Sequence, residues 1–146
     1  MINNKASIKF LSHSINESFA RNVAGCFALQ LNPSLAEISD IKTAVSEAVT
    51  NSIVHAYQGK IGEIAMFLEI NSNVLHINIF DWGVGIENVS EALEPFYTTK
   101  SDDERSGMGF TIMKSFMDEV IVESVKGEGT KIYMTKKICP TSSDVK

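Results

Sequence analysis

Three short runs in this sequence combine residue types and spacings that chemistry can use. Glu47, Asn51 and His55 recur every four residues, which on a helix aligns their side chains along one face. An Asn amide oxygen is a hard ligand suited to Mg2+, and a nearby carboxylate can act as a base. The same row serves equally well as the solvated side of a helix. Asp81-Trp-Gly-Val-Gly85 follows a run in which Leu75, Ile77 and Ile79 alternate with His76, Asn78 and Phe80. Counting by two puts Asp81 at the end of the apolar row, where a carboxylate needs a hydrogen-bonding partner. A ligand amino group such as that of adenine is one candidate; an ordinary Asp-Gly turn is the plainer account. Gly83 and Gly85 permit a sharp turn and close backbone approach to a ligand. Arg105-Ser-Gly-Met-Gly109 opens a run containing Phe110, Ile112, Met113 and Phe116. Backbone N–H groups exposed at a helix start favour phosphate, and Arg105 and Lys100 add counter-charge. The Met and Phe residues beyond read as core.

These runs form a site only if the chain folds to bring them together. At 146 residues the sequence has the length of one domain. A chain of about 150 residues buries roughly 68–70% of its unfolded surface, enough for a core without staples. Its 44% hydrophobic and 21% charged residues are ordinary for a globular protein. No stretch approaches the ~18 apolar residues of a membrane span, and the opening Met-Ile-Asn-Asn-Lys is not a signal peptide. A cytoplasmic protein is expected. Net charge is 13 − 18 = −5 without a Lys/Arg cluster, which argues against direct nucleic-acid binding. Cys26 and Cys139 make no metal or disulfide pattern, and Cys26 reads as a small core residue on the apolar face of a helix.

Residues 6–11 read as a strand. Ser14 and Glu17 have capping-box spacing, opening a helix with Phe19, Val23, Phe27 and Gln30 along one side and an end near Asn32-Pro33. Ser34 and Glu37 repeat the signal before a longer helix whose buried stripe is expected to be Leu35, Ile38, Ile41, Val45, Val49 and Ile53, with Gly59 ending it. Residues 63–70 and 74–80 read as strands joined by a turn at 71–73, and residues 87–94 as a short helix. The polar segment 95–106 precedes a helix at 107–117 and a hairpin of 120–125 with 130–136. Helices gather early and strands late, which predicts a two-layer α/β sandwich of one mostly antiparallel mixed sheet with helices on one face. One domain over 1–137 is expected, with a disordered tail at 138–146.

An Asn on a helix, Asp-x-Gly-x-Gly after a strand, a long polar loop and Gly-x-Gly at a helix start resemble, in that order, the Bergerat-type ATP-binding fold of the GHKL superfamily of gyrase, histidine kinases and MutL. In that likeness residues 95–106 are the ATP lid, and Gly129-Thr130 is the last adenine-pocket element. Within the superfamily, Ser46-Glu-Ala-Val-Thr-Asn51, Pro95-Phe-Tyr-Thr-Thr-Lys100 and Glu104-Arg-Ser-Gly-Met-Gly-Phe-Thr-Ile-Met113 closely resemble the family of sporulation anti-sigma F factors. So do Asn16-Glu-Ser-Phe-Ala-Arg21 and Phe116-Met-Asp-Glu-Val120, so that nearly the whole chain to about Lys137 is covered. The segment 58–62 looks short beside the family's loop.

The resemblance implies an anti-sigma factor that binds RNA polymerase sigma factor F and, as an ATP-dependent serine protein kinase, phosphorylates an anti-anti-sigma factor. It implies ATP/ADP and Mg2+ as cofactors and a homodimer. Carried over, Glu47 is the base that accepts the serine proton, Asn51 holds Mg2+, and Asp81 binds the adenine amino group. Gly83, Gly85, Thr98, Thr99, Lys100, Arg105, Ser106, Gly107, Met108, Gly109 and Thr130 complete the nucleotide site, and Arg21 grips partners. Three alternatives stay open: a histidine-kinase ATPase domain, against which Glu47 stands; a nucleotide-gated binding module with little kinase activity; and the related general-stress anti-sigma kinase. His13 and His76 read as surface residues, and His55 as structural.

Overall fold

The computed structural model describes residues 3–93 and 109–139. Five strands form one sheet: β1 (Asn3–Leu11), β2 (Glu63–Asn71), β3 (Val74–Asp81), β4 (Glu119–Val125) and β5 (Gly129–Lys137), in the order β1-β2-β3-β5-β4. Every pairing among the described residues is antiparallel, so in place of the expected mixed sheet they form an antiparallel one. The connections explain this. β1 pairs with β2 across the two long helices, β2 and β3 form a hairpin, and the β4–β5 hairpin enters with β5 against β3. Residues expected in a disordered tail begin with Ile138, which is fully buried and donates its N–H to the Asn73 carbonyl at 2.8 Å.

The helices are α1 (Asn16–Ala28), α2 (Leu35–Asn51), α3 (Val89–Ala92) and α4 (Gly109–Phe116). α2 begins with the capping box its sequence announces. Ser34 Oγ accepts from Glu37 N at 3.1 Å, and Glu37 Oε1 accepts from Ser34 N at 2.9 Å. α1 does not. Its first turn has no side-chain cap, and only the Ser14 carbonyl meets Glu17 N, because the Glu17 carboxylate is drawn across to α2.

The α1 stripe also differs from expectation. Ala20, Ala24 and Ala28 are fully buried, Val23 and Phe27 pack around them, and Phe19 is half exposed with its ring edge on Phe10. Small residues let α1 close tightly on α2, and the larger ones flank that seam. Cys26 faces solvent rather than the core. On α2 the deepest residues are Ile41, Ala44, Val45, Ala48 and Val49, whereas Leu35 is 89% exposed and Ile53 only partly buried. The stripe therefore begins a turn and a half later than the sequence suggests. These helices, with Met113 of α4, cover the sheet face formed by Ile64, Met66, Leu68 and Ile70 of β2, Leu75, Ile77 and Ile79 of β3, and Ile132 and Met134 of β5.

After Asn51 the helix widens into a π turn, Ser52–Ala56, closed by Tyr57 N on the Ser52 carbonyl at 3.2 Å. Gln58 and Gly59, both at positive φ, then reverse the chain. Such widened turns concentrate at functional sites.

Ser34→Ala removes the hydroxyl that accepts from Glu37 N and leaves only the bond from Ser34 N to Glu37 Oε1. Loss of an N-cap costs about 0.5–2 kcal/mol, so thermal unfolding should shift down by roughly 2–4 °C per kcal/mol for a chain of this size. Calorimetry measures it.

Candidate functional site

Asp81 is the last residue of the buried row of β3, following Leu75, Ile77 and Ile79, and is 5% exposed. Its Oδ2 accepts from Ser52 Oγ at 2.8 Å, and its Oδ1 accepts from Gly83 N at 3.1 Å and Thr130 N at 3.2 Å. Burial pushes its pKa above the ordinary 3.8, although the bonds from Gly83, Ser52 and Thr130 act against that rise. An ionised carboxylate offers about four acceptor positions. Three are taken by the chain, which leaves room for one further donor.

Ser52 still follows the α-helical path of α2, its N–H on the Ala48 carbonyl, and is the first residue of the π turn. The same turn presents the Ala56 carbonyl, which accepts from Val84 N at 2.9 Å. A Cβ on Gly83 would run into that carbonyl, and one on Gly85, whose φ is +75°, would strike the Val125 carbonyl. Both glycines are thus required by close approach of the chain to itself. The β4–β5 hairpin completes the wall. Thr130, 6% exposed, shares a 2.8 Å contact with Ser124 Oγ, and Ser124 Oγ accepts from Ile86 N at 2.7 Å. Tyr57 lies under the Asp-Gly turn, its Oη accepting from Trp82 N at 2.9 Å.

Glu47 and Asn51 sit one turn apart on α2 and meet the first residue of α4. A Cβ on Gly109 would lie 3.4 Å from Asn51 Nδ2, Asn51 Oδ1 and Glu47 Oε1, so the start of α4 packs directly against both side chains. Asn51 Nδ2 is buried with no hydrogen-bond partner among the described residues, and an orphaned buried amide of this kind calls for a ligand. Asn51 immediately precedes Ser52, so the three runs singled out in the sequence converge around one turn of helix. Thr98, Thr99, Lys100, Arg105, Ser106, Gly107 and Met108 lie outside the described residues. Among the described residues no cluster of His, Cys, Asp and Glu side chains could hold a metal by itself.

Arg21 lies apart, on α1. Its guanidinium donates to Glu17 Oε2 at 2.7 Å, and the same oxygen accepts from Ser46 Oγ at 2.6 Å. Partial burial works to raise the Glu17 pKa, but the bonds from Ser46 and Arg21 and the Arg21 charge outweigh it and hold the carboxyl below its ordinary value. This clamp therefore contributes stability above the ordinary carboxylate range and loses it as pH falls through the lowered value.

Sequence reasoning missed Ser52, Tyr57 and Ser124. Ser52 left one signal: a hydroxyl facing the sheet at the end of a helix otherwise packed with Ala and Val. Nothing in the spacing marked the other two.

The family profile of the histidine kinase-like ATPase domain matches residues 12–136. The chain belongs to that family and is an ATP/ADP-binding domain. The fold agrees with solved structures. The mycobacterial sensor histidine kinase MprB aligns with a TM-score of 0.58 at 15% identity, covering 96% of this chain and 100% of that one. The catalytic domain of histidine kinase ThkA aligns with a TM-score of 0.58 at 15% identity, covering 91% and 96%. Curated relatives are nearer in sequence. The anti-sigma F factor of Clostridium acetobutylicum is 55% identical over 94% of this chain and 96% of its own length. That of Caldanaerobacter subterraneus subsp. tengcongensis is 56% identical over 93% and 95%. Within the ATPase family, the chain is a member of the same group as these anti-sigma F factors. No helix of the described residues is long and apolar enough to cross a membrane.

Ser52→Ala leaves Asp81 with one donor fewer in a buried setting. At neutral pH this should destabilise by about 1.5–3 kcal/mol, the scale of a hydrogen bond to a charged group, read by urea denaturation. The deficit should shrink as pH falls through the raised Asp81 pKa, since the protonated carboxyl has less need of the donor.

Proposed function

We propose that the chain is an anti-sigma factor directed at sporulation sigma factor F and an ATP-dependent serine protein kinase that phosphorylates the anti-anti-sigma partner. It acts in the cytoplasm as a single domain whose core runs through Ile138. The observation that carries the reading is the meeting of Glu47, Asn51 and Gly109 around a buried amide nitrogen without a partner among the described residues. The names of the relatives support the anti-sigma role.

In this reading the fourth acceptor position of Asp81 takes the adenine amino group, beside Gly83, Gly85 and Thr130. The Asn51 amide is at the phosphate end, and because its two ends exchange by a flip it can turn its oxygen to Mg2+ or donate to a phosphate oxygen. Mg2+ binds through few protein ligands together with substrate phosphates, which suits a lone amide. When bound, Mg·ATP supplies the phosphoryl group and neutralises phosphate charge. Glu47 takes the proton of the acceptor serine hydroxyl as that oxygen bonds to the γ-phosphorus and the bond to the β–γ bridging oxygen breaks, releasing ADP. A positioned base contributes about 10²–10⁴-fold. Gly109 leaves space at the start of α4 for phosphate, and Thr98, Thr99, Lys100, Arg105, Ser106, Gly107 and Met108 complete that side. Arg21 meets the protein partners.

The chain works as a homodimer through the sheet face opposite the helices. Phe67, Phe80 and Tyr133 cluster at its centre, with ring centroids 5.0 and 5.6 Å apart and Lys131 Nζ 5.2 Å from the Phe80 centroid. One edge strand presents Lys5 and Lys9, and the other presents Glu119 and Glu123. Following the register across the sheet, Lys9 shares a row with Glu123, and Lys5 with Glu119. A twofold axis parallel to the strands lays β1 of one copy over β4 of the other. Each lysine then faces a glutamate, and the aromatic cluster meets itself.

Two experiments test this function. Purified protein, Mg·ATP and the anti-anti-sigma protein should give one added phosphate by intact mass. Glu47→Ala should lower the rate by about 10²–10⁴-fold while calorimetric ATP binding is kept; equal loss of both would reject Glu47 as base. For the dimer, Lys5→Glu with Lys9→Glu should give monomers in sedimentation at low salt. Adding Glu119→Lys and Glu123→Lys should restore the dimer, and a dimer indifferent to both would put the interface elsewhere.

A further inference from the structure

A shallow groove of about 410 Å³ runs between α1 and α2, from Leu35 and Ile38 past Lys42 to Ser46 and Glu47, with Arg21 on its opposite wall. Its charges are unevenly settled. Arg21 is paired with Glu17 at 2.7 Å. Lys42 makes no ion pair among the described residues. Its placement is nonetheless constrained: a Cβ on Gly25 would come within 3.1 Å of Lys42 Cδ and 3.2 Å of Cγ. The stem lies in the slot left by the buried glycine of α1. A glycine inside a helix costs roughly 0.5–1 kcal/mol relative to alanine, and here it seats a lysine whose charge has no mate. At the far end of the groove Leu35 is 89% exposed, an apolar side chain with nothing over it.

We infer that this groove holds the segment of the acceptor protein that bears the target serine, with Lys42 pairing an acidic side chain of that segment. The inference rests on the kinase reading of Glu47. Spacing makes the ligand specific. Lys42 and Glu47 are five residues apart on α2, about 7.5 Å at 1.5 Å per residue. An extended chain advances about 3.3 Å per residue, so a serine at Glu47 puts the acidic residue two or three positions away. Leu35 is about 18 Å from Glu47 by the same rise, which sets an apolar residue five or six positions from the serine on the same side. Lys42 is thus a specificity residue for the protein substrate and has no part at the nucleotide.

The test compares wild type, Lys42→Glu and Lys42→Arg on the anti-anti-sigma protein, with ATP affinity and thermal unfolding measured for each. Lys42→Glu should raise KM for the protein substrate about tenfold, a typical scale for reversing a steering charge. Its kcat and ATP affinity should stay within twofold, and Lys42→Arg should stay near wild type. Replacing the acidic residue two or three positions from the acceptor serine by Lys should recover binding to Lys42→Glu. An unchanged KM, or loss of ATP affinity together with KM, would overturn the groove assignment. Calorimetric binding of the same protein in the presence of ADP reads docking without chemistry. Should wild type transfer no phosphate, the kinase reading fails, while a Lys42-dependent affinity still upholds the groove and its absence rejects it.

Discussion

The burial of one carboxylate governs the arrangement of this molecule. Asp81 ends a row of Leu75, Ile77 and Ile79, where an unpartnered charge would be costly. Each of its three donors comes from a different part of the chain: Ser52 from the helical layer, Gly83 from the following turn, and Thr130 from the last strand. Satisfying the carboxylate therefore fixes the junction of sheet, helix and hairpin at one point. The widened turn after Asn51 follows directly on the residue that supplies the first of these donors. A regular α-helix through residues 52–56 would leave Ser52 in place and shift the Ala56 carbonyl that accepts from Val84 N.

From that junction α2 passes the constraint outward. Its core stripe of Ile41, Ala44, Val45, Ala48 and Val49 anchors the helix on the sheet, so the flanking row of Glu47 and Asn51 has little freedom to move. α4 begins against that row at Gly109. The candidate site residues Glu47 and Asn51 thus stand on the rim of a helix anchored by five buried residues, where side-chain positions are set by the core rather than by loops.

Much of this was legible in the residues. Alternation along β3 gave the face of Asp81 directly, since a strand has period two and no competing solution. The Ser34–Glu37 box marked the start of α2 because both groups are local to one turn. The Ser14–Glu17 pair has the same spacing and misleads, since Glu17 has better partners in Ser46 and Arg21, residues that tertiary packing alone brings near. The π turn left no periodic signature, because the apolar stripe of α2 ends before it begins. Leu35 and Cys26 fit an apolar stripe by spacing but face solvent: period 3.6 fixes which residues share a face and leaves open where along the helix the covering layer begins. For Phe19, Val23 and Phe27 the alanines one position on won the deepest seats, since a close helix–helix approach rewards small side chains.

The engagement of Arg21 by Glu17 has a consequence for recognition. The guanidinium is already oriented in the free chain, with one of its five N–H donors on Glu17 at 2.7 Å, so an anionic partner either shares it with that acid or displaces the acid. Where the acid is displaced, the affinity gained through Arg21 is only the difference between two ion pairs. Glu17, once displaced, keeps only the Ser46 hydroxyl. Recognition through such a swap selects by fit more than by charge: a partner with the right sign in the wrong place gains nothing over the glutamate it would have to replace.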